Sequence, residues 1–505
     1  MRRKNAYSAK LFLILIAFLA FCLILTAQTL EEFEKKITEY TLKNGLKFII
    51  MENHEAPVVS FQTYANVGSV DEIVGITGIA HIFEHMAFKG TKVIGTKDID
   101  KELKAMAAED EAFRQLILEK RKGLKADKEK LKKLEEAFQK AKDEARKYVK
   151  SNEFDEIVER AGCVGLNAGT SFDATRYLYN FPSNKVELWA YMESSRFKDP
   201  VLREFYTEKN VVAEERRMAV DNQPIGMLLE EFLALAYKAH PYGIHVIGHM
   251  ADIQTITRQE ALDFYKKYYH ANNMVIAIVG DVYPKELIPI LEEYFNDMPS
   301  KPKPEPVETV EPPQRGLRST TIKHPSQPFI IMGYHKPDIH HPDQEVFEAI
   351  TSIMGVGRTS RLYKKLVVEK KIALASAAIT GLPGNKYPGL FIFIAAPTQR
   401  HTNEECKKAM DEEIEKLKTE LVNDAELQRF KTRAKAGLIR NMSSNAGMAG
   451  QLAFFEVVTG DWRNLFKQLE AIEKVIKEDI MRVAKEYFKE TNCTIAAIET
   501  EEKGK

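Results

Sequence analysis

Ile256–Asp281 reads ITRQEALDFYKKYYHANNMVIAIVGD, and 219 residues further on Val475–Thr500 reads VIKEDIMRVAKEYFKETNCTIAAIET. At that constant offset Lys266 coincides with Lys485, Tyr268 with Tyr487, Asn273 with Asn492, Ile276 with Ile495 and Ala277 with Ala496. In each stretch apolar residues first recur at helical spacing, a short polar turn follows, and an apolar run of strand character closes it. The prolines from Pro299 to Pro313, with Pro302, Pro304, Pro306 and Pro312 between, separate the two. Such a stretch is extended and semi-rigid, so 299–316 reads as a linker. The expected architecture is α+β: two homologous domains, 28–298 and 317–505, each a mainly antiparallel sheet covered by helices.

At 505 residues the chain exceeds what one hydrophobic core usually serves. Apolar content of 44% and charged content of 29% are those of an ordinary globular protein. Lys plus Arg and Asp plus Glu both number 73, so no global field favours nucleic acid, and no nucleic-acid partner is expected. At the start of the chain, Arg2, Arg3, Lys4 and Lys10 lead into Leu11–Ala27, apolar apart from Thr26. Residues 1–27 read as a secretory signal, with an uncleaved membrane anchor as the alternative. Either implies export, to a periplasm or beyond. Cys163, Cys406 and Cys493 are too few and too scattered for a disulfide framework.

One segment belongs to neither copy. Residues 101–150 hold 27 charged residues and no proline. Leu103, Met106, Asp110, Phe113 and Ile117 step by three and four; beyond Gly123, Leu124, Leu131, Leu134, Phe138, Ala141 and Ala145 resume the rhythm. Heptad spacing on both sides of a glycine predicts an inserted antiparallel helical hairpin that buries its apolar residues largely against itself.

The chemistry is concentrated in His81-Ile82-Phe83-Glu84-His85. On a helix, positions i and i+4 share a face, so both imidazoles can reach one ion while Glu84 addresses a water on it. H-x-x-E-H is the inverted form of the commoner zinc-protease helix. A catalytic zinc takes three protein ligands, so the chain must supply another. In Glu208-Lys209-Asn210-Val211-Val212-Ala213-Glu214-Glu215, helical spacing puts Glu208 and Glu215 on one face and turns Glu214 aside. From spacing alone Glu215 is one candidate among many.

The motif followed far downstream by Glu-x-x-Val-x-x-x-Glu resembles the pitrilysin/insulinase family of zinc metallopeptidases, which includes mitochondrial processing peptidase. The 129 residues between His85 and Glu215 exceed the family's spacing by about the length of the charged insertion. Gly165-Leu166-Asn167-Ala168-Gly169-Thr170 with Thr175 and Tyr177 is similar to the family's strand beside the metal; Pro241-Tyr242-Gly243 and Ser360-Arg361-Leu362-Tyr363 are further likenesses. The resemblance implies one Zn2+ per chain held by His81, His85 and Glu215, with Glu84 as general base. It implies Glu208 as a carboxylate orienting a ligand histidine, and Asn167 and Ala168 on the strand edge where a peptide substrate pairs. It implies a clamshell half and an endopeptidase cutting peptides or unfolded segments. The alternatives are a processing peptidase for one protein, or a non-catalytic scaffold subunit.

Single-chain members hold an Arg and a Tyr seven residues apart in the second half. The matching positions here are Val367 and Leu374, neither able to donate, with Arg358 or Tyr363 as substitutes if the register differs. The chain therefore resembles the zinc-bearing member of a homo- or heterodimer whose partner carries the Arg/Tyr pair.

Overall fold

The computed structural model describes residues 34–501; the signal or anchor expected at 1–27 lies outside the described residues. Among the described residues, no helix is long and apolar enough to cross a membrane. The chain opens with β1 (Ile37–Thr41), β2 (Lys47–Glu52) and β3 (Val58–Ala65). After α1 (Ile79–Met86), α2 (Ile99–Lys120) and α3 (Lys128–Arg146) come β4 (Val164–Thr170) and β5 (Thr175–Pro182). Helices α4 (Phe205–Arg216) and α5 (Pro224–Ala236) lead on to β6 (Met274–Gly280). The remainder contains β7 (Arg318–His324), β8 (Phe329–Lys336), β9 (Ala373–Leu382), β10 (Gly389–Pro397), α6 (Asn445–Thr459) and β11 (Cys493–Thr500), among further helices.

The strands form two sheets, ordered β1-β2-β6-β3-β5-β4 and β7-β11-β8-β10-β9. Only β2/β6 and β11/β7 run parallel; every other neighbouring pair is antiparallel. The quoted repeat accounts for this likeness. Its helices are Arg258–Tyr268 and Lys477–Tyr487, its strands begin at Met274 and Cys493, and all keep the 219-residue offset. In each sheet that strand lies between one parallel and one antiparallel neighbour.

Side chains alternate across a strand, so each sheet presents two apolar faces. Phe48, Ile50, Phe61, Ile276 and Ile278 of the first sheet pack on helices of the first half. Ile49, Met51, Ala277 and Val279 face the other way and are covered by Met448, Ala449, Leu452 and Ala453 of α6, which belongs to the second half. The exchange is reciprocal. Leu228, Phe232, Leu233 and Ala236 of α5 cover Ile331, Ile392, Ala496 and Ile498 of the second sheet. Gly333 on β8 makes this fit possible, because a Cβ there would collide with the Phe232 ring.

The linker is docked rather than loose. The Glu311 carboxylate accepts the backbone N–H groups of Lys238, Ala239 and His240, and Val307 N–H donates to the Tyr387 hydroxyl at 3.0 Å.

The insertion is a hairpin of α2 and α3, but it does not pack only on itself. Leu103 is exposed, and so is Leu124 in the turn, so neither belongs to a seam. Phe113 does meet Phe138 of α3 across the hairpin, but it and Ile117 also join the main core, with Phe113 against Tyr206 of α4. Two buried ion pairs fasten α2 to the body: Glu102 with Arg203 at 2.7 Å and Glu109 with Arg258. Removing the hairpin would leave two buried guanidiniums without their carboxylates, a far larger cost than losing a surface element.

Phe232 tests the helix exchange. Phe232→Ala is expected to cost about 3–5 kcal/mol and to lower one shared unfolding transition. Calorimetry that resolved two transitions, with only one displaced, would show that the halves do not share their cores.

Candidate metal centre

Helix α1 has only eight residues and owes its place to the loop before it. Gly78 begins it with φ 89°, where a side chain would be strained and would meet the Ile247 carbonyl. Having no side-chain cap at Gly78, the first turn takes one from the preceding loop. The buried Glu72 carboxylate accepts N–H groups from Gly78 and Ala80, both at 2.8 Å. Asp252 accepts from the backbone of Gly75 and Thr77 and from the Thr77 hydroxyl. Burial pushes the Glu72 carboxyl up to about 8.

Ile79, Ala80, Ile82, Phe83 and Met86 are buried, leaving His81, Glu84 and His85 on the half-buried side. Helix α4 lies across from them. Glu215 Oε2 stands 3.6 Å from His81 Nε2 and 3.7 Å from His85 Nε2, and the three donor atoms all lie within 4.8 Å of one another. Ligands of a tetrahedral zinc, each about 2.0–2.1 Å from the ion, lie roughly 3.3–3.4 Å apart. The two distances to Glu215 are within a few tenths of an ångström of that geometry, and the three residue types are those a zinc site uses. Burial holds His81 down to about 4, keeping its ring neutral as a ligand must be.

The other sequence-proposed residues are gathered here too. Glu208 Oε2 lies 3.5 Å from His85 Nδ1, and its other oxygen accepts from Lys89 Nζ at 2.6 Å. Burial opposes ionisation of Glu208, but the bonds to His85 and Lys89 prevail and lower its pKa. Burial also depresses His85, yet Glu208, Glu215 and Glu84 together raise it. Glu214 points away, exposed and paired with Arg217, as the helical phase predicts.

Asn167 and Ala168 lie on β4, the free edge of the first sheet. Ala168 N–H donates at 2.9 Å to the amide oxygen of Asn167, so the edge is capped by its own side chain. The pair borders two hollows. One, of about 340 Å3, also touches Glu84, His85, Phe88 and Phe154; the other, of about 930 Å3, lies between the first sheet and helices of the second half.

Several contributors were missed from sequence. Thr170 donates its hydroxyl to Glu84 Oε2 at 2.7 Å, partly offsetting the rise that burial imposes on Glu84. Lys89 follows His85 by four residues, a helical spacing that could have marked it. Glu72 and Asp252 carried no signal, because each acts on α1 through loop geometry. Of the second-half positions, Val367 packs against the second core and Leu374 is exposed on β9, the free edge of that sheet.

Residues 47–116 match the family described as Insulinase (Peptidase family M16), and 255–434 match the one described as Peptidase M16 inactive domain. The chain is 31% identical over 475 residues to the zinc protease PqqE of Helicobacter pylori, covering 92% of this chain and 93% of that protein. A crystal structure of a protease from Helicobacter pylori superposes with a TM-score of 0.77 at 30% identity, covering 92% of this chain and 99% of that one. The first half of the periplasmic protease PqqL from Escherichia coli shares the fold at 17% identity, with a TM-score of 0.67 and 92% of each chain covered. Against whole PqqL the match spans 48% of that chain.

Glu215→Gln is expected to weaken Zn2+ affinity at least roughly tenfold, since an amide oxygen is a far poorer ligand than a carboxylate, whereas Glu214→Gln should leave it unchanged. Competition with a zinc-binding dye reads both; the reverse result would move the ligand by one residue.

Proposed function

Because the chain belongs to the insulinase family, peptidase family M16, we propose that it is a zinc-dependent endopeptidase acting on peptides or unfolded protein segments. The observation that carries this reading is the convergence of His81, His85 and Glu215 on one point with Glu84 beside them. Zinc bound there supplies Lewis-acid polarisation of the scissile carbonyl and a more acidic water. With zinc held by His81, His85 and Glu215, Glu84 would be placed to take a proton from the attacking water and to pass it to the leaving amine. Burial raises its pKa, which helps it to hold the proton between the two transfers. Thr170 engages one carboxylate oxygen and leaves the other for the water.

An extended peptide adds to the free edge of β4 in place of the Asn167 cap, a mode that tolerates many sequences because it reads backbone. The hollow beside Glu84 receives a side chain next to the scissile bond. Residues 1–27 and the periplasmic description of PqqL support an exported protein. An intact ligand set argues against the scaffold reading.

Two features support a dimer. The chain matches about half of whole PqqL. Val367 and Leu374 also offer no donor where single-chain members hold Arg and Tyr. A partner, a second copy or a relative bearing that pair, would close the chamber.

Glu84→Gln should abolish cleavage of a quenched peptide while stoichiometric zinc stays bound, because the amide cannot accept the proton. Residual turnover above a tenth of wild type would remove Glu84 as the base. The chain alone should be slow, and co-expression with an Arg/Tyr-bearing relative should accelerate it 10²–10³-fold, the usual worth of an oxyanion donor at about 2.7–4 kcal/mol. Equal, robust rates with and without the relative would make the chain self-sufficient.

A further inference from the structure

The Arg203 guanidinium is buried at the meeting point of three segments. Its Nε donates to Glu102 of the hairpin at 2.7 Å, Nη2 to the Thr91 carbonyl at 2.6 Å, and Nη1 to the carbonyls of Lys89 and Ile94. Glu102 and Arg203 are both almost wholly buried. The carbonyls belong to the loop that leaves α1, and Gly90 and Gly95 give it room: a Cβ at either would press on the guanidinium. Arg203 also stands two residues before α4, which carries Glu208 and Glu215. Lys89, whose carbonyl Arg203 holds, extends its ammonium to Glu208 at 2.6 Å, and Glu208 faces His85 Nδ1 at 3.5 Å.

We propose that Arg203 and Lys89 are positioning residues that couple the inserted hairpin to the metal centre, along Glu102–Arg203–Lys89–Glu208–His85. The coupling rests on the zinc reading above and adds a role for the insertion: the hairpin helps to set where His85 points. Each link is a charge-assisted contact with at least one buried or half-buried partner, so displacing one end moves the next rather than being absorbed by solvent. Coupling is reciprocal. If α2 positions His85, then zinc on His85 must stabilise α2 by the same free energy.

Hydrogen exchange on the full chain, with and without Zn2+, tests this without removing any buried charge. In the wild type, zinc is expected to slow amide exchange several-fold in the first turns of α2 as well as in α1. Lys89→Met should weaken zinc affinity about 10–100-fold, the usual effect of losing a group that orients a ligand. At saturating zinc it should keep the protection of α1 and lose that of α2. Lys89→Arg, which retains the cation, should restore both. Protection confined to α1 in the wild type, or wild-type zinc affinity in Lys89→Met, would overturn the coupling alone. A wild-type chain that binds no zinc would overturn the metal centre and the coupling together.

Discussion

Everything at the site depends on holding an eight-residue helix still. A helix of that length is marginal by itself, and it must carry three ionisable side chains out of an otherwise apolar wall. Two carboxylates, Glu72 from the approach to it and Asp252 from a short helix far along the chain, accept its first N–H groups and those of the approach. Each buried donor left unpaired would cost about 1–3 kcal/mol. With its start pinned by Glu72 and Asp252 and its exit loop wrapped around Arg203, α1 has little freedom to rotate. That fixes the approach of His81 and His85 to Glu215.

The fold was legible where local pattern repeats. The helix-turn-strand pair at the end of each half keeps its offset residue for residue, and the helical phase of α4 correctly separated Glu215 from Glu214. The heptad rhythm located the hairpin but misjudged its surroundings. Periodicity reports that a face is apolar and cannot say everything that covers it: Phe113 meets Phe138 across the hairpin as the seam predicts, but also Tyr206, and with Ile117 it joins the main core. Glu102 and Glu109 looked like ordinary members of a charge run. Their burial is decided by Arg203 and Arg258, about a hundred or more residues away. The same limit hid Asp252 and Thr170, whose partners are brought to them only by the finished fold, while Glu72 caps a helix six residues on through a loop path that no spacing rule marks.

The free edge of β4 shows how one strand serves two requirements. An exposed strand edge invites pairing with other chains. Asn167 answers that by accepting the next N–H, that of Ala168, on its own amide oxygen, keeping the edge closed until something better competes. Because the same residues border both hollows, whatever displaces the cap gains access to the space beside Glu84 and to the space between the first sheet and the helices of the second half.

The exchange of helices between halves also fixes an order of assembly. The face of the first sheet formed by Ile49, Met51 and Ala277 has its cover in residues 445–459, made long after the sheet itself. The first half therefore emerges with one apolar surface bare, and it cannot be completed until the second half has followed it. Long-range closure of this kind slows folding and lengthens exposure to aggregation. A prematurely terminated chain would retain that bare surface permanently, a mark by which proteolytic surveillance could tell it from the finished molecule.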